Sequence, residues 1–193
     1  MRDTPSYQHF LYPPGGILIW LLILIELITF GAGIGAFVWQ KSLDPVSFKA
    51  GQQALDQTTG LVNTLFLLSS GWLVAEAVHT VKNDNTPKAQ YLILGAFLLG
   101  LGFILLKSSE YAAKIEAGHD LSSSLFFTFY WLLTGFHFVH VLTGLVILAV
   151  LGVQIRRGRY GSHRSDDLEA GAAFWHLCDL IWLLLFPVLY LIK

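Results

Sequence analysis

Cysteine and methionine are almost missing from this chain: Cys178 and Met1 are the only ones among 193 residues. One cysteine excludes an intrachain disulfide, a Cys-x-x-Cys-His haem attachment, a dithiol redox pair, a thiolate cluster and a Cys-rich binuclear copper centre. With no methionine ligand, two histidines are the only plausible way for this chain to hold a haem. Charge is scarce as well. Charged residues make up 13% of the chain and the formal net charge is −1, which gives no support for nucleic-acid binding. The remainder is strongly apolar: 54% hydrophobic and 14% aromatic, too much for a soluble domain of average composition.

That apolar content is concentrated in long runs. A hydrocarbon core of about 30 Å takes about 20 helical residues, which predicts five membrane-spanning helices near 15–38, 59–81, 89–112, 122–155 and 171–192. The expected fold is an all-α, polytopic bundle forming a single transmembrane domain over 1–193. The first run does not read as a cleavable signal: its n-region lacks a basic cluster, the apolar stretch is too long and no Ala-x-Ala site follows. Pro13-Pro14-Gly15-Gly16 separates a polar, aromatic amino-terminal segment from it. Residues 39–58 form the first loop, with a short amphipathic helix expected from Pro45. Pro187 is expected to kink the last helix near its outer end.

Orientation follows from the basic residues. One side holds seven (Arg2, Lys82, Lys88, Arg156, Arg157, Arg159 and Arg164), the other five (Lys41, Lys49, Lys107, Lys114 and Lys193) when Lys107 is counted as snorkelling outward. The positive-inside rule then places the amino terminus in the cytoplasm.

Every span carries ionisable residues: Glu26; Glu76 and His79; Lys107 and Glu110; His137 and His140; His176 and Asp179. A charged group in hydrocarbon costs at least about 2.5–3.5 kcal/mol, so such residues normally face a bundle interior. The last four pairs are spaced i, i+3, which puts both members on one helix face. These residues are expected to form a structural polar seam, with no metal or catalytic group in this chain. Three sharper readings compete. Glu76-Ala-Val-His79 has the Glu-x-x-His form of di-iron proteins, but that site needs a second such motif and two further Glu. A bis-His b-type haem on two of His79, His137, His140 and His176 would make the chain an electron carrier. A transporter would use Glu26 and Glu76, although five helices give no even inverted repeat.

Glu26 lies about 11 residues into the first helix, near the membrane midplane at about 1.5 Å per residue. It is either a reactive, proton-handling acid or a carboxyl group hydrogen-bonded to a neighbouring helix. Trp175, Tyr130, Trp131 and Tyr190 are expected to sit at the interfaces as belt residues. The Gly-x-x-x-Gly pair within Gly31–Gly35 marks close packing, against a partner subunit or within the bundle itself.

Several of these segments resemble the cytochrome c oxidase subunit III family. Glu169 to Trp182 contains the Trp-His-x-x-Asp-x-x-Trp core of its closing helix, and Thr134 to Gly144 resembles its Thr-Gly-Phe-His-x-x-His-Val segment. Lys107-Ser-Ser-Glu-Tyr111 is similar to its Gln-x-x-Glu-Tyr stretch. Ser69-Ser-Gly71 followed by His79 matches its Ser-Gly…His-His helix in part, with Glu76-Ala-Val-His79 in place of Trp-Ala-His-His. Ile25-Glu26-Leu27 with Phe30-Gly31 aligns with the helix carrying the family's carbodiimide-reactive Glu. The resemblance covers nearly the whole chain. Many members have seven helices, and the five here align with the last five.

It implies an accessory subunit of a haem–copper oxidase in a bacterial inner membrane. Such a subunit holds no cofactor of its own and packs against a haem-containing catalytic subunit, supporting its stability and proton uptake. Residues 56–63, Asp-Gln-Thr-Thr-Gly-Leu-Val-Asn, and the Gly-Ala-Ala-Phe-Trp-His stretch resemble the branch associated with nitric oxide reductase in denitrification.

Overall fold

The computed structural model describes residues 15–161 and 166–192. The amino-terminal segment 1–14 and the charges on Arg2, Arg164 and Lys193 lie outside the described residues. Five long apolar helical spans, of 26–32 residues when the last is counted through Leu191, have the length and composition to cross a membrane. They are α1 (Ile17–Leu43), α3 (Gln57–Lys82), α4 (Thr86–Glu116), α5 (Leu125–Arg156) and α6 (Asp166–Phe186), and α6 runs on into a π-helical turn, Pro187–Leu191. The short helix expected after the first span is α2 (Pro45–Gln53).

Helices α3, α4, α5 and α6 pack in a ring, each antiparallel to its neighbours. α1 lies outside the ring against α5 and α6, burying little beyond Phe30 and Phe37. Its other face is largely apolar and exposed, including Leu18, Trp20, Leu24, Ile25 and Ile28. This is the all-α, multi-pass membrane fold that the hydropathy pattern predicts.

Polar side chains set the helix starts. Asp44 accepts from the Ser47 N–H at 3.1 Å with Pro45 beside it, Asn85 from Lys88 at 3.4 Å and Ser124 from Phe127 at 3.3 Å; each satisfies a donor the helix cannot pair internally. Asp56 caps α3 twice, accepting from the Thr58 N–H at 2.9 Å and the Thr59 hydroxyl at 2.5 Å. The Thr59 hydroxyl, then the Thr58 N–H, hold its carboxyl below the ordinary range.

Asp56→Ala is expected to lower thermal stability in detergent by about 1 kcal/mol, a typical cap value. Because the folded-state value is depressed, the cap's contribution is present above the unfolded-state value of 3.8 and is lost as pH falls through the lower folded value. The variant should lack that acid-side loss. Equal pH dependence in both proteins would remove the cap from the account.

α2 docks through aromatic packing. Phe48 lies 5.2 Å from Phe37 and 6.0 Å from Phe126, measured between ring centroids. Gly51 is required there: a Cβ would stand 2.2 Å from the Phe126 ring. Gln52, fully buried, then reaches the end of the chain. Its Nε2 donates to the carbonyls of Val188, Leu189 and Ile192 at 2.9, 3.2 and 2.8 Å, while Gln57 donates to Tyr190 O at 2.8 Å. The expected kink at Pro187 takes the form of the π turn, closed by Ile192 N–H to Pro187 O at 2.9 Å. The two glutamines satisfy the carbonyls that a helix end leaves open.

At the ring's centre stands Trp175. A Cβ on Gly100 would lie 2.6 Å from its ring and one on Gly144 2.7 Å, so two glycines from two helices form its slot. The belt position expected for Trp175 is therefore corrected. Tyr130 and Tyr190 are corrected likewise, being fully buried. Trp131 is half-buried and donates to His119 O at 2.9 Å.

Candidate functional site

Two groups of polar side chains sit inside the bundle. The first joins α4, α5 and the π turn. Lys107, only 1% exposed, donates to Glu110 Oε2 at 3.1 Å, to the Tyr130 hydroxyl at 3.2 Å and to the Tyr190 hydroxyl at 2.6 Å. Both hydroxyls pass the bond on, donating to Glu110 Oε1 at 2.8 and 2.7 Å. An ammonium has three donors and no acceptor, so every donor of Lys107 is used. The carboxylate takes three bonds, and each tyrosine accepts once and donates once.

The rings of Tyr111, Tyr130, Trp182 and Tyr190 surround the ammonium at 4.9–5.3 Å, within cation–π range. The network leaves Lys107 no donor for a ligand. This overturns the reading of Lys107 as snorkelling outward and removes it from the charge count on that side. Helix α4 places Lys107 and Glu110 on one face, and the π turn brings the Tyr190 hydroxyl over them.

The second group lies where α1 meets α5 and α6. Glu26 Oε2 is 3.2 Å from His140 Nε2, without hydrogen-bond alignment. The other ring nitrogen, Nδ1, is 2.8 Å from Phe136 O. A carbonyl only accepts, so Nδ1 carries a proton. A carboxylate facing the bare lone pair of Nε2 would be repelled, so a further proton on either Oε2 or Nε2 makes the contact attractive. The contact lies at the edge of the bundle, with the carboxyl side chain 19% exposed.

On α6, His176 Nδ1 is 3.4 Å from Asp179 Oδ2, and a Cβ on Gly71 would stand only 2.0 Å from that same oxygen. Asp179 therefore rests on the bare backbone of α3.

His137 turns inward from α5 and is fully buried. It stacks on Trp182 at 5.3 Å and meets the edge of Phe103 at 5.8 Å; neither ring nitrogen is hydrogen-bonded. Trp182 is itself held by Thr64, its Nε1 donating at 2.9 Å.

Glu76 and His79 are not in the interior seam expected for them. Glu76 is one-third exposed and pairs with Lys88 at 2.9 Å, and His79 is exposed beside Asn83. Hydropathy gives depth along a helix but not which side faces in. The four candidate haem histidines thus face four different environments. A haem plane at His137 would have to displace Trp182 or Phe103. Among the described residues, no group of three or more His, Cys, Asp or Glu is placed to hold a metal ion. Sequence reasoning missed Gln52, which the sequence does not set apart from its neighbour Gln53 in the amphipathic helix.

Comparison with known proteins places this arrangement. Residues 17–193 match the family model described as cytochrome c oxidase subunit III. The chain is 27% identical over 201 residues to the haem–copper oxidase subunit I+III of Aeropyrum pernix, covering 99% of this chain and 24% of that protein. It is 32% identical over 177 residues to cytochrome c oxidase subunit 3 of Arabidopsis thaliana, covering 88% of this chain and 65% of that protein. It is 35% identical over 130 residues to the Triticum aestivum subunit 3, covering 67% of this chain and 48% of that protein. The chain spans about half the length of many of the curated relatives it matches.

Proposed function

The chain belongs to the cytochrome c oxidase subunit III family, and from that premise we propose that it is an accessory, cofactor-free subunit of a haem–copper oxidase complex. It would pack against a catalytic subunit that holds the haem and the metal, stabilise it, and support its proton uptake. The observation that carries this reading is the closed network around Lys107 and Glu110, in which the most deeply buried charges bond to one another. Such an interior is a rigid, packed support, and His137 stacked on Trp182 belongs to it.

The positive-inside bias supports an amino terminus in the cytoplasm of a bacterial inner membrane. Residues 56–63 favour a partner that reduces nitric oxide over one that reduces oxygen. Affinity purification of the tagged chain from its native membrane, with mass spectrometry of what it brings down, tests the assignment. A haem-containing oxidase or reductase subunit in stoichiometric amount is expected; recovery of the chain alone would oppose it.

Glu26 is proposed as the proton-holding acid. A carbodiimide activates a carboxyl group that still bears its proton, and apolar reagents reach α1 from the bilayer. Glu26 should therefore be labelled, and Glu26→Gln should abolish the labelling. Persistence of the label in that variant would place the reactive acid elsewhere.

A further inference from the structure

A groove of about 360 Å³ runs between α4 and α5 on the side of the membrane where the basic residues concentrate, lined by Ile93, Leu94, Phe97, Leu148, Val153 and Gly152. Its mouth is formed by Gln90 and Arg156. It lies on the outer surface of the bundle, apart from both polar groups described above.

Its shape follows from the sequence. On α5 the wall is cut back by Ala149 and Gly152, and the facing residues of α4 recur at helical spacing from Gln90 to Phe97. Seven to eight residues of helix correspond to roughly 10–12 Å, so the groove descends along the helices from the interface into the hydrocarbon layer. Apolar walls parallel to the membrane normal suit an extended acyl chain better than a compact polar solute.

The mouth supplies the charge. Lys82 and Lys88, at the same end, are engaged with Glu169 at 2.7 Å and Glu76 at 2.9 Å. Arg156 is exposed, and neither it nor Gln90 has a hydrogen-bond or ion-pair partner among the described residues. An unneutralised guanidinium at headgroup depth, beside a free amide, fits a phosphodiester oxygen pair, which arginine binds with a planar fork. Basic pockets between transmembrane helices on the cytoplasmic side are lipid headgroup sites in physical terms.

We infer that this groove is a binding site for one anionic phospholipid, with an acyl chain along Leu148–Gly152 and Ile93–Phe97 and the phosphate on Arg156 and Gln90. A zwitterionic lipid offers the same chain and phosphate but adds a cation that Arg156 repels, so the site discriminates by headgroup charge.

The test uses the full chain in the complex with which it is isolated. After detergent delipidation it is titrated with phosphatidylglycerol or phosphatidylcholine, and native mass spectrometry follows the bound lipid. The unaltered protein should retain one more phosphatidylglycerol than phosphatidylcholine. Arg156→Gln should weaken phosphatidylglycerol at that site by roughly fivefold, the factor that about 1 kcal/mol per surface basic residue implies, and leave phosphatidylcholine unchanged.

Gly152→Leu should remove that extra phosphatidylglycerol by filling the groove. A Cβ at 152 meets Ile93 at an ordinary 3.4 Å, so the helix accepts it. Photo-crosslinking of the unaltered complex with a diazirine-tailed phosphatidylglycerol should mark 93–97 and 148–153. Equal retention of the two lipids, indifference to Arg156→Gln, or crosslinks confined to other helices would each overturn the site. A partner helix covering the groove would show as the last of these.

Discussion

Replacing Lys107 by methionine should cost about 3–5 kcal/mol of stability, the usual penalty for removing one partner of a buried ion pair. The reason lies in what stays behind. Glu110 would retain the Tyr130 and Tyr190 hydroxyls on Oε1 but lose the cation on Oε2. A carboxylate 7% exposed would then carry its charge uncompensated inside the bundle. The two hydroxyls would also lose the donor they accept from.

Lys107→Met combined with Glu110→Leu removes both charges and should recover most of the loss, because apolar replacements of similar volume often match a buried pair. Tyr190→Phe deletes one hydroxyl from the network and should cost less, about 1.5–3 kcal/mol for hydrogen bonds to charged groups. Thermal unfolding in detergent and the fraction of assembled complex report all three. A double variant no more stable than Lys107→Met alone would show that the network is not the closed unit described.

The second large effect is expected at Gly71. Any side chain there starts at a Cβ 2.0 Å from Asp179 Oδ2 and 3.4 Å from His176 Nδ1, so Gly71→Val must push α6 away from α3. Overpacking of this kind costs about 1–3 kcal/mol and occasionally more. The displaced carboxylate adds to that, since Oδ1 is already buried without a hydrogen bond. Asp179→Ala alone should destabilise the last helix by breaking its contact with His176. In the double variant the two losses should be less than additive, because removing the carboxylate vacates the volume that the introduced valine side chain needs. Residues in direct contact show coupling of about 0.5–3 kcal/mol. Strict additivity would mean that Asp179 does not rest on Gly71.

The helices are legible in the sequence because length and hydropathy decide what crosses a bilayer. The amphipathic α2 is legible from Pro45. Two motifs that read as family signatures prove to be packing devices. In 56–63, Asp56 caps α3, Gln57 donates to the Tyr190 carbonyl in the π turn, Gly60 lies under the Phe186 and Tyr190 rings, and Asn63 is buried. In the closing helix, Trp175 fills the two-glycine slot while Trp182 stacks on His137.

Facing is the illegible part. Lipid tails are as apolar as a leucine core, so the helices are hydrophobic nearly all round and no stripe separates inward from outward sides. The charge count therefore takes Lys107 as outward when it is central, and Trp175, Tyr130 and Tyr190 are expected at the interface when they are core. Hydropathy puts Glu76 and His79 inside when one is paired near the surface and the other exposed. The polarity of a residue says that it needs a partner. Only the assembled bundle says whether that partner is another helix, a neighbouring lysine or water.

The central claim is that this chain supports redox chemistry without carrying it. The most direct measurement is the visible spectrum of the purified complex, recorded before and after this chain is stripped from its partner. The account predicts that the Soret band follows the catalytic subunit quantitatively and that the isolated chain is colourless. A Soret band that remains with this chain, and is lost on His137→Ala or His140→Ala, would contradict it and make the buried histidines haem ligands.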